Sequence, residues 1–233
     1  MAWVCGMDLG GLGFLSYVAW LDTETRKFAL DHYIPRFSSS PTLLPVSPDF
    51  MPAGAKAYGF DGPQGLPQLH SGRTRRLCDE KADTPTRTMP LTLSPMYKGP
   101  YASLIKVSIR LFSEAVSTGQ ARLHGYPPSS NAAGPTIFET YPRKILKDHF
   151  GLSSIPSKRK EPHKYVEEVW NALKERDYRC SGVIRPTVDQ LDAMLCAVAA
   201  EHLLKGQFKD LGAAPIWDPV QKIFREGYIV VPA

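Results

Sequence analysis

The sequence has few of the features that mark secreted, membrane or zinc-binding proteins. Its 233 residues include only four cysteines, and none of these form a Cys-x-x-Cys pair, so we expect neither a disulfide framework nor a zinc knuckle. No apolar run approaches the roughly 18 residues of a membrane-spanning helix, and residues 1–10 lack the basic segment of a secretory signal. We therefore expect a cytoplasmic protein without a membrane partner, in which Cys5 and Cys196 are buried thiols.

The bulk composition is that of an ordinary globular protein. Hydrophobic residues make up 43% of the chain and charged residues 22%, which argues against disorder. The net charge of +5 is compatible with a polyanionic partner. Because neither an internal repeat nor a linker is visible, we expect one domain over residues 1–233.

Hydrophobic periodicity predicts an alternation of strands and helices. Strands are predicted at 3–9, 14–21, 27–34, 55–60 and 136–139, with an edge strand at 227–232. Helices are predicted at 101–117, from about 142 to 150, at 165–176 and at 188–204, the last with Thr187 and Gln190 as a capping box. Loops are predicted at 37–53 and, as a long insertion-like segment, at 66–100. Three antiparallel strands followed by alternating helices and strands indicate an α/β fold with a mixed sheet flanked by helices.

Five acidic residues stand at the ends of these predicted elements. Asp8, Asp61 and Glu139 close predicted strands, while Asp189 and Asp192 lie in the first turns of the late helix. The spacing of Asp189 and Asp192 places both on one helical face. Strand ends are where α/β sheets form ligand sites, so these carboxylates are candidates for binding one or two hard cations such as Mg²⁺ or Mn²⁺.

Four of these acids also have an ordinary structural interpretation. Asp8 and Asp61 precede glycines and are compatible with turn chemistry, and Asp189 suits the first turn of any helix. Glu139 is compatible with a solvent-facing strand position or with pairing to Arg143 or Lys144 nearby.

Five motifs lie in a fixed order along nearly the whole chain. They are Gly6-Met7-Asp8, Asp61-Gly62-Pro63-Gln64-Gly65-Leu66-Pro67, Glu139-Thr140-Tyr141-Pro142, Asp189-Gln190-Leu191-Asp192-Ala193 and Glu226-Gly227-Tyr228-Ile229-Val230-Val231-Pro232. This series resembles the ribonuclease H-like superfamily and, more closely, a family of predicted nucleases described as domain of unknown function 429. The Asp-x-x-Asp-Ala helix is also similar to the last catalytic helix of Holliday-junction resolvases.

The resemblance implies a ribonuclease H-like fold and a metal-dependent nuclease that hydrolyses phosphodiester bonds of DNA or RNA. It implies that Asp8 bridges the metals and that Asp61 or Glu139 completes the shell of one ion. Asp192, together with Asp189, would hold the other ion. Two cations about 3.5–4 Å apart stabilise the attacking and leaving oxygens of such a reaction.

The sequence also contains two basic segments. We interpret both the arginines at 73, 75 and 76 and the run at 158–160 as solvated surface in preference to a phosphate channel.

Two alternative functions remain. Residues 8–11 (Asp-Leu-Gly-Gly) also resemble the first phosphate loop of actin-like phosphotransferases and ATPases, in which glycine amides hold phosphate. A non-catalytic binding module on the same fold is the third alternative, and the sequence leaves the oligomeric state open.

Overall fold

A computed structural model describes residues 2–37, 43–45, 54–69, 71–85, 89–94, 97–99, 101–127, 134–180 and 182–233. Most of the loop predicted at 37–53 lies outside these residues. Within them, the chain folds into one ten-stranded sheet with helices packed against it. No helix in this described part is long and apolar enough to cross a membrane.

Ten strands and five helices make up the described part of the chain. The strands are β1 (Trp3–Asp8), β2 (Ser16–Asp22), β3 (Lys27–Tyr33), β4 (Ala57–Asp61), β5 (Gly65–Leu66), β6 (Arg122–Leu123), β7 (Thr136–Thr140), β8 (Arg179–Cys180), β9 (Phe208–Asp218) and β10 (Ile223–Pro232). The helices are α1 (Leu77–Lys81), α2 (Ala102–Ser117), α3 (Pro142–Asp148), α4 (Pro162–Glu175) and α5 (Val188–Leu204). Across the sheet the order is β5-β10-β7-β4-β1-β2-β3-β8, with β6 beside β7 and β9 beside β10.

The sheet is mixed, as the sequence predicts. Strands β1, β2 and β3 are antiparallel, and the turn between β2 and β3 is stabilised by Asp22, which accepts hydrogen bonds from the Glu24 amide (3.0 Å) and the Thr25 hydroxyl (2.8 Å). Strands β1, β4, β7 and β10 then pair in parallel. The coarse architecture of antiparallel strands followed by parallel strands, flanked by helices, is therefore confirmed.

The C-terminal strand differs from its prediction. An edge strand was expected at 227–232, but β10 lies inside the sheet between β5 and β7 and also pairs with β9. Strand β9 was not predicted because Lys209, Asp210, Gly212 and Pro215 interrupt its apolar pattern. The expectation of an edge strand was wrong because it considered β10 without this partner.

The segment at 66–100 is tied to β10 by buried side chains. Arg225 donates to the carbonyl oxygen of Pro67 (2.9 Å), and the carboxylate of Glu226 accepts a hydrogen bond from the Leu77 amide (2.9 Å). Part of the segment forms β5 and the short helix α1. The described part of this predicted loop thus contributes one strand and one helix that pack against β10.

Helix α5 lies unusually close to the sheet because two strand positions lack side chains. A Cβ on Gly6 would lie 2.1 Å from the carbonyl oxygen of Ala193, and one on Gly59 would lie 2.6 Å from that of Cys196. Small residues of α5, Ala193, Cys196 and Ala197, therefore meet glycines on the sheet, and backbone contacts backbone. This packing carries Asp192 to the ends of β1 and β4.

The two faces of the sheet have separate hydrophobic cores. On the α5 face, Val4 and Phe138 belong to a core with Val198. On the other face, Phe60 packs edge-on against Phe112 of α2, with ring centroids 5.3 Å apart. Successive residues of β1 and β4 alternate between these cores, as the period of two in a strand requires.

Candidate metal centre

Three of the five predicted acids meet at one end of the sheet. Carboxylate oxygens of Asp8, Asp61 and Asp192 lie within 4.8 Å of one another, the one such group among the residues the structure describes. Asp8 and Asp61 are register partners at the ends of the parallel strands β1 and β4, so their side chains point to the same face. Asp192 reaches them from the second turn of α5, which crosses that face.

The structure does not bring Glu139 into this group. Glu139 is the register partner of Phe60, one residue before Asp61, so alternation along the strand directs it to the opposite face. Its carboxylate accepts hydrogen bonds from Arg76 at 2.5 and 2.7 Å and from the Gln64 amide at 2.9 Å. The prediction that Glu139 is a metal ligand is therefore wrong, and Glu139 is instead the partner of the buried Arg76.

Arg76 is a structural cation rather than part of a basic surface. It is 1% exposed and also binds Asp79 through two hydrogen bonds of 2.9 and 3.0 Å. Burial would raise the pKa of Asp79, but Arg76 outweighs it and holds that pKa below its usual value. The expectation that the arginines at 73–76 form solvated surface is wrong for Arg76, because two buried carboxylates bind its guanidinium.

Asp189 lies near the centre but outside it. It is exposed in the first turn of α5, whereas Asp192 is 2% exposed. The i, i+3 spacing thus carries one acid into the centre and leaves the other in solvent. The negative charge of Asp189 still repels Asp8 and Asp192.

Two residues that were not predicted from the sequence bind Asp192. The Lys158 ammonium donates a hydrogen bond to Oδ2 of Asp192, and the buried Tyr165 hydroxyl donates to Oδ1 over 2.6 Å. Lys158 was expected to be solvated with Arg159 and Lys160. Its side chain is still 37% exposed, but its ammonium binds Asp192. No sequence signal separates Lys158 from these two neighbours, because the difference arises only when the loop before α4 folds over the end of α5.

Asp8 is the acid whose charge is least compensated. Its carboxylate accepts no hydrogen bond from any residue that the structure describes. Burial raises the pKa of Asp8 well above its usual value, repulsion from Asp192 and Asp61 raises it further, and Lys158 opposes them. The side chain of Asp8 is half-buried and shares this end of the sheet with two other carboxylates. Three clustered carboxylates provide the hard oxygen donors that Mg²⁺ and Mn²⁺ prefer.

The glycine-containing loop after β1 is already stabilised within the protein. The Gly10 amide donates to the Ser16 hydroxyl (3.0 Å), and the Leu12 amide donates to the Ser103 hydroxyl (2.5 Å). A phosphate loop needs its amides directed at the ligand. Two amides of this loop are engaged elsewhere, which weakens the interpretation as an actin-like phosphate loop.

Comparisons with protein-family models, with curated proteins and with solved structures find no match. The geometry and chemistry of the described residues are therefore the basis for any assignment of function.

Proposed function

We propose that this chain is a metal-dependent nuclease with a ribonuclease H-like fold, in which Asp8, Asp61 and Asp192 hold Mg²⁺ or Mn²⁺. The observation that carries the proposal is the convergence of three carboxylates at the ends of β1 and β4. They come from three separate elements, β1, β4 and α5, and Lys158 pairs with one of them, Asp192.

Electrostatic repulsion explains why this arrangement favours a bound cation. Two unit charges 4.8 Å apart repel each other by about 3.5 kcal/mol at an effective dielectric constant of about 20. Lys158 offsets the repulsion at Asp192, but Asp8 receives no hydrogen bond from the described residues. A purely structural role for Asp8 would leave this repulsion in the folded protein, whereas a bound divalent cation would remove it.

The reaction class follows from the donor set and from the charge of the whole protein. A divalent cation bound by carboxylates supplies Lewis-acid stabilisation to a phosphodiester undergoing hydrolysis. The net charge of +5 favours a polyanionic substrate. An antiparallel meander whose first strand carries Asp8, followed by parallel strands and a late helix carrying Asp192, is the arrangement that the ribonuclease H-like resemblance implies. These three properties together support nucleic acid as the substrate.

A cleavage screen tests the proposal. The protein is incubated with Mg²⁺ or Mn²⁺ and single strands, duplexes, RNA–DNA hybrids and four-way junctions. We expect metal-dependent cleavage of at least one substrate. Asp8→Asn and Asp61→Asn should each lower the rate by roughly 100-fold or more, because each removes charge from the centre.

Asp31→Asn is the matched control, because Asp31 is an exposed acid on β3, which β2 separates from β1, with 52% of its side chain accessible. It should cleave at the wild-type rate. Cleavage that survives both Asp8→Asn and Asp61→Asn would come from another site or a contaminant. Metal binding without cleavage of any substrate would contradict the nuclease assignment and favour a non-catalytic module.

A further inference from the structure

We infer that the loop between β1 and β2, residues 9–15, binds unpaired bases of a single-stranded nucleic acid and that Phe14 stacks on one of them. The inference rests on the proposed function for the class of polymer, and it goes further by specifying single strands and the residues that hold them. Because the loop begins directly after Asp8, a strand bound to it lies next to the candidate metal centre. Binding of this kind needs no metal, so it can be measured apart from cleavage.

The loop presents apolar side chains to solvent. Leu12 is 73% exposed, Phe14 68% and Leu15 47%, and Ile34, just after β3, is 45% exposed. Leu15 and Ile34 line the same open pocket, so the exposed residues of the loop continue onto the end of β3. A single exposed apolar residue is ordinary, but a group of them marks a binding surface. We call these four residues the apolar patch.

Hydrogen bonds fix the backbone beneath the patch. The Phe14 amide donates to the Gly11 carbonyl oxygen over 3.0 Å, which closes a turn whose third residue, Gly13, has φ +79°, as a type II turn requires. Two further amides of the loop donate to hydroxyls of β2 and α2. The backbone is therefore held in place while the side chains of Leu12 and Phe14 stay in solvent, and a preorganised surface of this kind loses little entropy when it binds.

Basic residues lie on both sides of the patch. Leu12 borders an open pocket of about 510 Å³ lined by three cationic residues, among them the exposed Lys98. Leu15 borders a second pocket of about 420 Å³, lined by the exposed Arg36. Arg110 in the first pocket pairs with a glutamate of its own helix, so Lys98 and Arg36 are the cations best placed to bind phosphate. Among the described residues, neither pocket is lined by an acidic side chain.

An apolar patch between two basic pockets is complementary to a single strand. Proteins that bind single strands follow the backbone with positive charge and stack the bases on aromatic rings. A duplex keeps its base faces inside the stack, where Phe14 could not reach them. Two copies of the chain joined through the patch would bring their basic side chains together, and each copy carries a net charge of +5, which disfavours self-association.

Fluorescence anisotropy in EDTA tests the inference, with a labelled single strand of about 20 nucleotides and the duplex of the same sequence. The wild type should bind the single strand at least about fivefold more tightly than the duplex, and Phe14→Ala should weaken single-strand binding by at least about fivefold. Phe14→Leu keeps an apolar side chain without a ring and should lose most of the same affinity. Leu204→Ala, a change at a 42% exposed leucine at the C-terminal end of α5, should match the wild type within about twofold.

The salt dependence of binding separates the charged contacts from the stacking contact. Arg36→Gln and Lys98→Gln should each weaken binding and make the slope of log affinity against log salt concentration shallower by about 0.7, because each removes one phosphate contact to a single strand. Phe14→Ala should weaken binding without changing this slope, because a stacked ring releases no counterions. A slope that changes with Phe14 and not with Arg36 or Lys98 would contradict these assignments.

The remaining outcomes separate this inference from the proposed function. Equal single-strand affinities of the wild type and Phe14→Ala, or tighter binding of the duplex, would overturn the inference and leave the nuclease proposal to the cleavage screen. Single-strand binding that depends on Phe14, without cleavage of any substrate, would support the inference and contradict the nuclease assignment. A wild type that binds phosphatidylserine vesicles or a second copy through Phe14, and binds no single strand, would also overturn the inference.

Discussion

Replacement of Gly6 by alanine should displace the helix that completes the candidate centre. The added Cβ would lie 2.1 Å from both the Ala193 carbonyl oxygen and the Ala197 amide nitrogen, which is about 1.3 Å inside the 3.4 Å of ordinary contact. Both neighbours are helix backbone, so no side chain can rotate away and α5 must move. Overpacking typically costs about 1–3 kcal/mol, and this rigid contact places Gly6→Ala at about 3 kcal/mol or more.

Urea denaturation followed by circular dichroism measures this cost, with two other alanine replacements for comparison. Gly59→Ala should be milder, at about 1–3 kcal/mol, because its closest helix backbone atom lies 2.6 Å from the new Cβ. Gly151→Ala meets no atom within 4 Å but has φ +71°, so it should cost about 1–2 kcal/mol from backbone strain alone. A Gly6→Ala protein within about 1 kcal/mol of the wild type would refute direct contact between α5 and β1.

Three further predictions concern the surroundings of the centre. Arg76→Met should cost about 3–5 kcal/mol by leaving two buried carboxylates without their cation, while the exposed Arg73→Met should change little; urea denaturation of both variants checks this. Thr187→Ala should cost about 1 kcal/mol by removing the capping box of α5, and a normal unfolding midpoint would contradict it. The pKa of His149 is lowered from 6.5 to about 4, first by burial and then by the neighbouring His202 and Arg176. The unfolded chain therefore binds the proton more tightly, so stability should fall as the pH drops from about 6.5 to about 4, and His149→Asn should weaken this dependence in denaturation curves.

Local patterns were sufficient to predict the elements that hold the site. The short apolar run at 3–9 ends at glycines, and Thr187 with Gln190 defines the start of α5, so β1 and the helix 188–204 were correctly predicted. Asp8, Asp61 and Asp192 were identified because each interrupts an apolar segment where an element begins or ends. Whether these three meet depends on the sheet order and on the close packing of α5 at Gly6 and Gly59.

Residues whose roles depend on distant partners could not be predicted in the same way. Glu139 stands at a strand end like Asp61, but its binding to Arg76 depends on the fold of a segment without periodicity. Lys158 has the local sequence of a solvated lysine, and only the turn before α4 brings it to Asp192. Sequence patterns therefore predict positions along an element better than they predict which buried charges pair.

Thermal unfolding with and without Mn²⁺ tests the metal centre most directly. At a Mn²⁺ concentration about 100-fold above the dissociation constant, binding stabilises the folded state by about 2.7 kcal/mol, or roughly 5–10 °C for a chain of this size. The metal centre predicts this rise for the wild type and none for Asp8→Asn, whose metal-free form should be at least as stable as the wild type because its repulsion of Asp61 and Asp192 is gone. A wild type that Mn²⁺ does not stabilise, or a metal-free Asp8→Asn protein that is clearly destabilised, would contradict it.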